Sequence, residues 1–512
     1  MDLFGLFRSK PIAPEKVPTD TVIPLHHLDD TYINAAICLD FSMIFDDVLD
    51  DEKLIGAFER LLERPGWRRL GARLRRNSKG KLEYHVPEKY TTERPCVNFT
   101  KATHDMSISQ HPMGAKIPRP TAKPEVLHRA AEILPLLLPA HRNTSINDWI
   151  YTDRAQLSVH VVAFNDATVV TLSWLHTLLD AMGRNMLLRA WTAMLEGRDE
   201  DVPEFYGYDF DPLANLGKQE MREHENSSPV EEYVLKDRRL SLWGMLRFVF
   251  NLFWETTFYP VEDGRTVIIP NTFFRKLRAQ AVEDLATAPT DTLMMNFSDP
   301  ANPKPFLSDG DILCAWWLRL FLSCQPWIDP SRTIDISNVF GMRNLLTQTE
   351  PQLLPDGVAF IGNCVTAVHS FFTFQEILTL PLGHIATRIR RDLVKQTTRP
   401  QINASMQANR EALAKGGAAL YGSGDMIMAN FSNWSKGKMF ETNFESAVKS
   451  SHGKDKTKGR PTALMVEAFL KGFSIRNSGA CVGKDADGNY WVSAALRPEA
   501  WDNVRKALEG LS

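Results

Sequence analysis

Leu172-Ser173-Trp174-Leu175-His176-Thr177-Leu178-Leu179-Asp180-Ala181-Met182-Gly183 is the stretch whose reading decides the fold. Residues 166–172, just upstream and running into it, are rich in β-branched side chains and predict a buried strand. Downstream, Leu187, Leu188, Trp191, Met194 and Leu195 share one helical face, and Gly197 marks the stop. A histidine between strand and helix is held rigidly and can still face a cleft. A lone histidine is more often a core or surface residue, so the case for His176 as a catalytic base rests on the rest of the chain.

At 512 residues the chain exceeds one ordinary core, and two domains are expected. A hydrophobic content of 44% with 24% charged residues is that of a globular protein. The net charge of -3 gives no electrostatic case for nucleic acid or an acidic membrane, which leaves small-molecule chemistry. Cys38, Cys96, Cys314, Cys324, Cys364 and Cys481 are scattered, without the paired spacing of a zinc site or a disulfide framework, so no metal is expected. Residues 1–10 lack the apolar run of a signal peptide, and a cytoplasmic monomer is expected.

Further out, residues 1–20 read as a proline-rich arm, and the spacing of Leu54, Ile55, Phe58, Leu61 and Leu62 predicts a helix ending near Pro65-Gly66. Leu70, Ala72 and Leu74 alternate with Arg69, Arg73 and Arg75, which predicts a half-buried strand with a solvated arginine face, turning at residues 77–80. Residues 91–123 read as a long loop, and Pro124 opens a helix to Leu134. Residues 156–164 alternate as a strand and turn at Asn165-Asp166 into the strand that delivers His176. Residues 199–239 read as the connection between domains.

Residues 240–259 are nearly all apolar, with Arg247, Asn251 and Glu255 at steps of four forming a narrow polar stripe. This predicts a helix packed between the domains or over the cleft, a membrane-surface anchor being the other reading. Ser308 and Asp311 have capping-box spacing ahead of an apolar helix. Residues 358–361 and 364–371 read as strands interrupted by Gly362-Asn363, Pro381 introduces a helix, and residues 450–460 read as a mobile basic loop. Residues 479–496 form a hairpin turning at Asp487-Gly488, and Pro498 opens a closing helix. Strands alternate with helices throughout, so the class is α/β or α+β.

The order of several pieces resembles the BAHD acyltransferases, in particular their fungal, trichothecene acetyltransferase-like members, which share the chloramphenicol acetyltransferase-like fold. His176 and Asp180 match the family's H-x-x-x-D-G motif, with Ala181 where glycine is usual and Gly183 close behind. Ser308 opens a segment similar to the family's serine-led helix, Arg343 stands in the place of its D-x-R-x-R-L arginine, and Phe360-Ile361-Gly362-Asn363-Cys364 resembles Y-F-G-N-C. Asn430-Phe431-Ser432-Asn433-Trp434 is similar to the N-x-S/T-x-W segment. The D-F-G-W-G motif is eroded, with only Phe444 of residues 443–447 retained.

The resemblance implies two chloramphenicol acetyltransferase-like domains, each a mixed sheet flanked by helices, with a tunnel between them. The expected division is residues 1–213, a crossover at 214–265, and residues 266–512. It implies transfer of an acyl group, acetyl by default, from acyl-CoA as co-substrate to a hydroxyl of a bulky apolar specialised metabolite, with no permanently bound cofactor. In this reading His176 is the general base, Trp434 or Ser432 serves the oxyanion, and Asp180 pairs with Arg343 as a brace. Ser308, Gly362 and Asn363 lie near coenzyme A, and Arg275, Lys276 or the basic residues 454–460 are candidates for its phosphate. A non-catalytic ligand-binding relative, or a condensation-domain-like enzyme using carrier-bound substrates, is the alternative.

Overall fold

The computed structural model describes residues 11–218, 231–296, 303–470 and 474–511. Two large sheets organise the chain. The first, of five strands, runs in the order Ala463–Leu470, Ile37–Phe45, Thr168–Leu175, Ser158–Ala163, Asn98–Thr103. Its central strand, Thr168–Leu175, is buried at every position, as its β-branched, two-sided apolar pattern requires. The second sheet has seven strands, in the order Val365–Thr373, Thr333–Gly341, Ile427–Asn433, Ser478–Lys484, Tyr490–Leu496, Asp263–Ile269, Glu125–Arg129. The mixed α/β class follows.

Each sheet takes one strand from the other half of the chain. Glu125–Arg129 pairs antiparallel with Asp263–Ile269 in the second sheet. Ala463–Leu470 pairs along its whole length with Ile37–Phe45 in the first. Single cuts near 213 and 266 therefore do not separate the two sheets. Residues 219–230 of the expected connection, like residues 1–10 of the expected arm, lie outside the described residues.

Several local expectations need correction. Residues 125–129 form a strand and not a helix, because the neighbouring edge of the second sheet supplies backbone partners that override the proline signal. Within the expected loop at 91–123, Asn98–Thr103 is a strand parallel to Ser158–Ala163. Residues 69, 73 and 75 are not a solvated face: all three arginines are buried. Arg75 and Arg73 lie against Asp153, and Arg69 reaches His26 and Asp29. Only Arg73 and Arg75 of the three belong to the strand Arg73–Arg76, since Arg69 sits in the short helix Trp67–Gly71 that precedes it. Residues 358–361 form no ladder strand, contributing a single bridge from Ala359 to Phe205. Residues 450–460 are docked, with Lys458 on Glu445, Lys456 on Asp487, and the Gly459 N–H donating to Asp47 at 2.7 Å.

Other elements stand where the pattern puts them. The helix Asp51–Glu63 is capped by Asp50 and buries Leu54, Phe58, Leu61 and Leu62. Asp309–Ser323 carries the Ser308–Asp311 capping box. Phe444, the retained residue of the eroded motif, is fully buried and meets Phe45 and Trp191 edge-on at 5.4 and 5.1 Å. The apolar residues 240–259 do form a helix, Leu242–Phe258, but none of its residues is buried, so it is not packed between the domains.

Candidate active site

His176 follows directly on Thr168–Leu175, and its backbone N–H donates to the Ile37 carbonyl at 2.9 Å, which ties it to the end of the neighbouring strand. Four residues on, Asp180 is the N-cap of the helix Ala181–Leu195, accepting from the N–H groups of Met182 at 3.0 Å and Gly183 at 2.8 Å. One oxygen of Asp180 is thereby committed to its own helix. The other accepts from Arg343 Nη1 at 2.9 Å and from the Cys364 N–H at 2.9 Å. Both oxygens of Asp180 are thus committed to a buried brace, and none of their bonds among the described residues goes to the His176 ring.

Arg343 distributes its remaining donors along one short segment, from Nε to the Phe360 carbonyl at 2.9 Å and from Nη2 to the Gly362 carbonyl at 2.5 Å. Asn363, next in sequence, donates from Nδ2 to the His176 carbonyl at 2.9 Å and to Asp29 Oδ1 at 2.8 Å. A chain of bonds thus runs from Asp180 through Arg343 and residues 360–363 back to the backbone of His176. At Gly183 a Cβ would run into the Ile361 carbonyl oxygen, which explains why the residue behind the H-x-x-x-D spacing is glycine.

Burial is the largest single influence on Asp180 and favours the neutral acid, but the Arg343 charge and the Gly183 and Cys364 N–H groups together outweigh it and hold the carboxyl below its ordinary range. His176 is also held below its ordinary value, chiefly by burial. Its own backbone carbonyl and the Asp180 charge oppose this, and the positive charge of Arg184 reinforces it. A neutral imidazole at pH 7 is the result, which is the form that can accept a proton.

Arg184 was not singled out by its sequence context, and it is the most unusual charge near the site. It is almost wholly buried, makes no ion pair among the described residues, and its Nε has no hydrogen-bond partner. Its Nη2 contacts Met439 Sδ at 2.8 Å. Aromatic rings replace carboxylates around it: its Cζ lies 3.8 Å from the Phe41 ring centroid, 4.9 Å from Trp434 and 5.8 Å from Trp174. Burial pushes its pKa down to about 9, against the pull of Asp180, so it remains a cation at pH 7.

Trp434 therefore joins the group through Arg184. Its indole N–H donates to Ser432 Oγ at 2.6 Å, a bond that leaves the Ser432 hydroxyl hydrogen free to point elsewhere. The adjacent Asn433 lies against the start of the Asp309–Ser323 helix, its Nδ2 standing 2.6 Å from where a Cβ on Gly310 would be. Ser308, at that helix start, donates to Asp311 Oδ2 at 2.8 Å and accepts from Arg390 Nη2 at 2.5 Å.

His176, Asp180, Arg343, Gly362 and Asn363 form one bonded network, while Ser432 lies in the strand Ile427–Asn433 of the second sheet, Trp434 follows it directly, and Ser308 caps the helix whose start Asn433 touches. Gly362 and Asn363 are buried, and their partners are Asp29, Arg343 and the His176 carbonyl. Of the basic candidates, Arg275 and Lys276 are exposed on the helix Asn271–Glu283, and the neighbouring Arg278 pairs with Asp309 at 3.0 Å, beside Ser308. Asp29 is the other site residue that sequence reasoning does not find, because nothing local marks a partner 334 positions away.

No protein-family model matches the sequence. Full-length relatives do. The chain is 37% identical to acetyltransferase adrJ of Penicillium rubens, over 99% of both chains. It is also 37% identical, over 99% of both chains, to a Penicillium decumbens protein named transcriptional regulator calD. Among solved structures, TRI101 of F. sporotrichioides, complexed with coenzyme A and T-2, superposes with a TM-score of 0.63 at 15% identity, covering 96% of this chain and 98% of that one. The fold is shared with that structure, and the full-length relatives make the chain an acyltransferase. The chain belongs to the fungal members of the BAHD-type acyl-CoA-dependent acyltransferase family.

Proposed function

We propose that the protein is an O-acyltransferase that moves an acetyl group from acetyl-CoA to a hydroxyl of a bulky apolar specialised metabolite. His176 takes the proton of the acceptor hydroxyl as the oxygen attacks the thioester carbonyl. The tetrahedral adduct then expels the coenzyme A thiolate, which recovers that proton from His176, so proton and acyl group balance without a covalent acyl-enzyme. The developing oxyanion is served by the Ser432 hydroxyl, whose oxygen already accepts from Trp434 and whose hydrogen is therefore the better donor. Ser308 and the exposed Arg275 and Lys276 are assigned to coenzyme A, and Gly362 and Asn363 to holding the base.

The observation that carries this reading is the orientation of Asp180. Its bonds to Arg343 and Cys364 remove it from any relay with His176 and leave a neutral imidazole fixed by its backbone. A relative named acetyltransferase and an O-acyltransferase, pboC of Aspergillus ustus at 32% identity, favour acyl transfer over a regulatory role. The net charge of -3 gives the regulator name no support in nucleic-acid binding.

The test is thiol release from acetyl-CoA across a panel of apolar alcohols, with mass detection of the ester. Wild-type protein should release thiol with at least one acceptor, and His176→Ala should lower turnover by roughly 100-fold or more with an unchanged melting temperature. Silence across the panel together with measurable ligand binding would establish a non-catalytic relative instead.

A further inference from the structure

The helix Leu242–Phe258 is amphipathic in the reverse of the usual sense. Its polar stripe faces the protein. Arg247 Nη2 donates to Asp425 at 2.9 Å, Asn251 Nδ2 to the Gly424 carbonyl at 3.2 Å, and Glu255 accepts from Arg476 Nη1 at 3.1 Å. These three contacts, spaced one helical turn apart, fix the rotation of the helix about its axis. The apolar side chains are consequently turned outward: Trp243 is 79% exposed, Phe253 63% and Phe250 61%, with Leu242, Leu246, Val249, Leu252, Trp254 and Phe258 also exposed.

Two geometric features select the occupant of this face. At ~100° per residue, the exposed apolar positions sweep roughly two thirds of the helix circumference, and no ionisable side chain falls within that arc apart from Arg247 at its edge. A helix lying in a protein groove presents a narrow stripe of anchors, whereas an arc this wide is covered only by something that flows around it. A second copy is a poor fit, since two convex helices about 25 Å long and about 10 Å across would bury roughly 250 Å² each, against about 800 Å² per partner in a stable interface. The arc continues past the helix end through Tyr259, Val261 and Trp327, with Arg497 stacked on the Tyr259 ring at 3.5 Å and on Trp327 at 4.7 Å. Tryptophan and tyrosine beside phenylalanine and leucine suit the boundary between headgroups and acyl chains.

We propose that this helix seats the protein on a lipid bilayer, lying flat in one leaflet with its polar stripe held against the protein. It does not span. Its 17 residues reach about 25 Å, short of the ~30 Å hydrocarbon core, and no described helix is long and apolar enough to cross a membrane. Gly424 and Asp425, on which the helix rests, precede the strand Ile427–Asn433, whose far end carries Ser432, so membrane contact is separated from the reacting groups by the length of a strand. The seat would give an apolar acceptor dissolved in the bilayer a short route to the protein.

The test is flotation of the full-length chain with vesicles of phosphatidylcholine containing a minor fraction of phosphatidylserine. Wild-type protein should float with the vesicles, and the double variant Phe250→Ser/Phe253→Ser should lose partitioning by about tenfold or more while keeping its melting temperature, since both rings are exposed. As a measurement independent of that variant, brominated acyl chains should quench tryptophan emission, and Trp243→Phe/Trp254→Phe should remove most of that quenching. Equal flotation of wild type and variant, or no flotation, would overturn the proposal. So would a wild-type dimer, dispersed by Phe250→Ser/Phe253→Ser, that ignores vesicles, because a second copy would then be what covers the helix.

Discussion

Arg343 donates to Asp180 at 2.9 Å across 163 positions of sequence, joining the helix start behind His176 to the segment that holds the His176 carbonyl. Both side chains are nearly inaccessible, and the carboxylate takes every strong donor offered to it. Removing either partner leaves an uncompensated buried charge, so Asp180→Ala and Arg343→Met are each expected to cost roughly 3–5 kcal/mol. Turnover should fall alongside stability, because the brace fixes the base. Denaturant titration checks the size of the effect, and the double variant should be less destabilised than the sum of the singles.

The same pair sets a pH dependence. The folded-state pKa of Asp180 lies below its unfolded value, so its contribution to stability is fully present above the unfolded value of about 3.9 and disappears as pH falls through the lower folded value. The stability gap between wild type and Asp180→Asn should therefore be constant from neutral pH down to about 5 and close progressively below about 4. A gap that instead closes near pH 6 to 7 would assign the effect to another group.

Ser432 and Trp434 divide one task in an order that substitution can read. If the indole N–H polarises Ser432 and the serine hydroxyl meets the oxyanion, Ser432→Ala should lower kcat by roughly 100-fold or more with little change in KM. Trp434→Phe, which keeps the ring over Arg184 and loses only the N–H, should cost less. Steady-state kinetics with one acceptor suffice, and the reverse ranking would make Trp434 the direct donor.

The pairing of Asp180 with Arg343 is more legible than the scaffold around it. His176, Asp180, Arg343 and Trp434 are readable as candidates because side-chain type at fixed spacing is a local property of the sequence. The strand Glu125–Arg129 is not, because its partners lie some 140 positions downstream and its local proline signal points to a helix. Alternation at Arg73 and Arg75 marks a strand correctly, but periodicity cannot distinguish a solvated arginine from one buried against Asp153. The stripe Arg247, Asn251 and Glu255 is legible as a stripe, whereas its direction depends on Asp425 and Arg476, which no pattern connects to it.

Arg184 shows what such hidden placement does to the chemistry. A buried cation enclosed by Phe41, Trp174 and Trp434 is costly to keep, and its effect on His176 is to disfavour the imidazolium. Replacing it with methionine retains bulk and removes the charge, so the His176 pKa, held down first by burial and further by Arg184, should rise toward its ordinary value, and the acidic limb of the kcat/KM profile should move up in pH. The sign is decisive, since a purely structural role would lower kcat/KM at all pH values without moving the limb. Arg184→Lys restores the charge with fewer contacts to the rings and should return the limb toward its wild-type position while kcat stays depressed. An unmoved limb in Arg184→Met would mean that burial alone keeps His176 neutral.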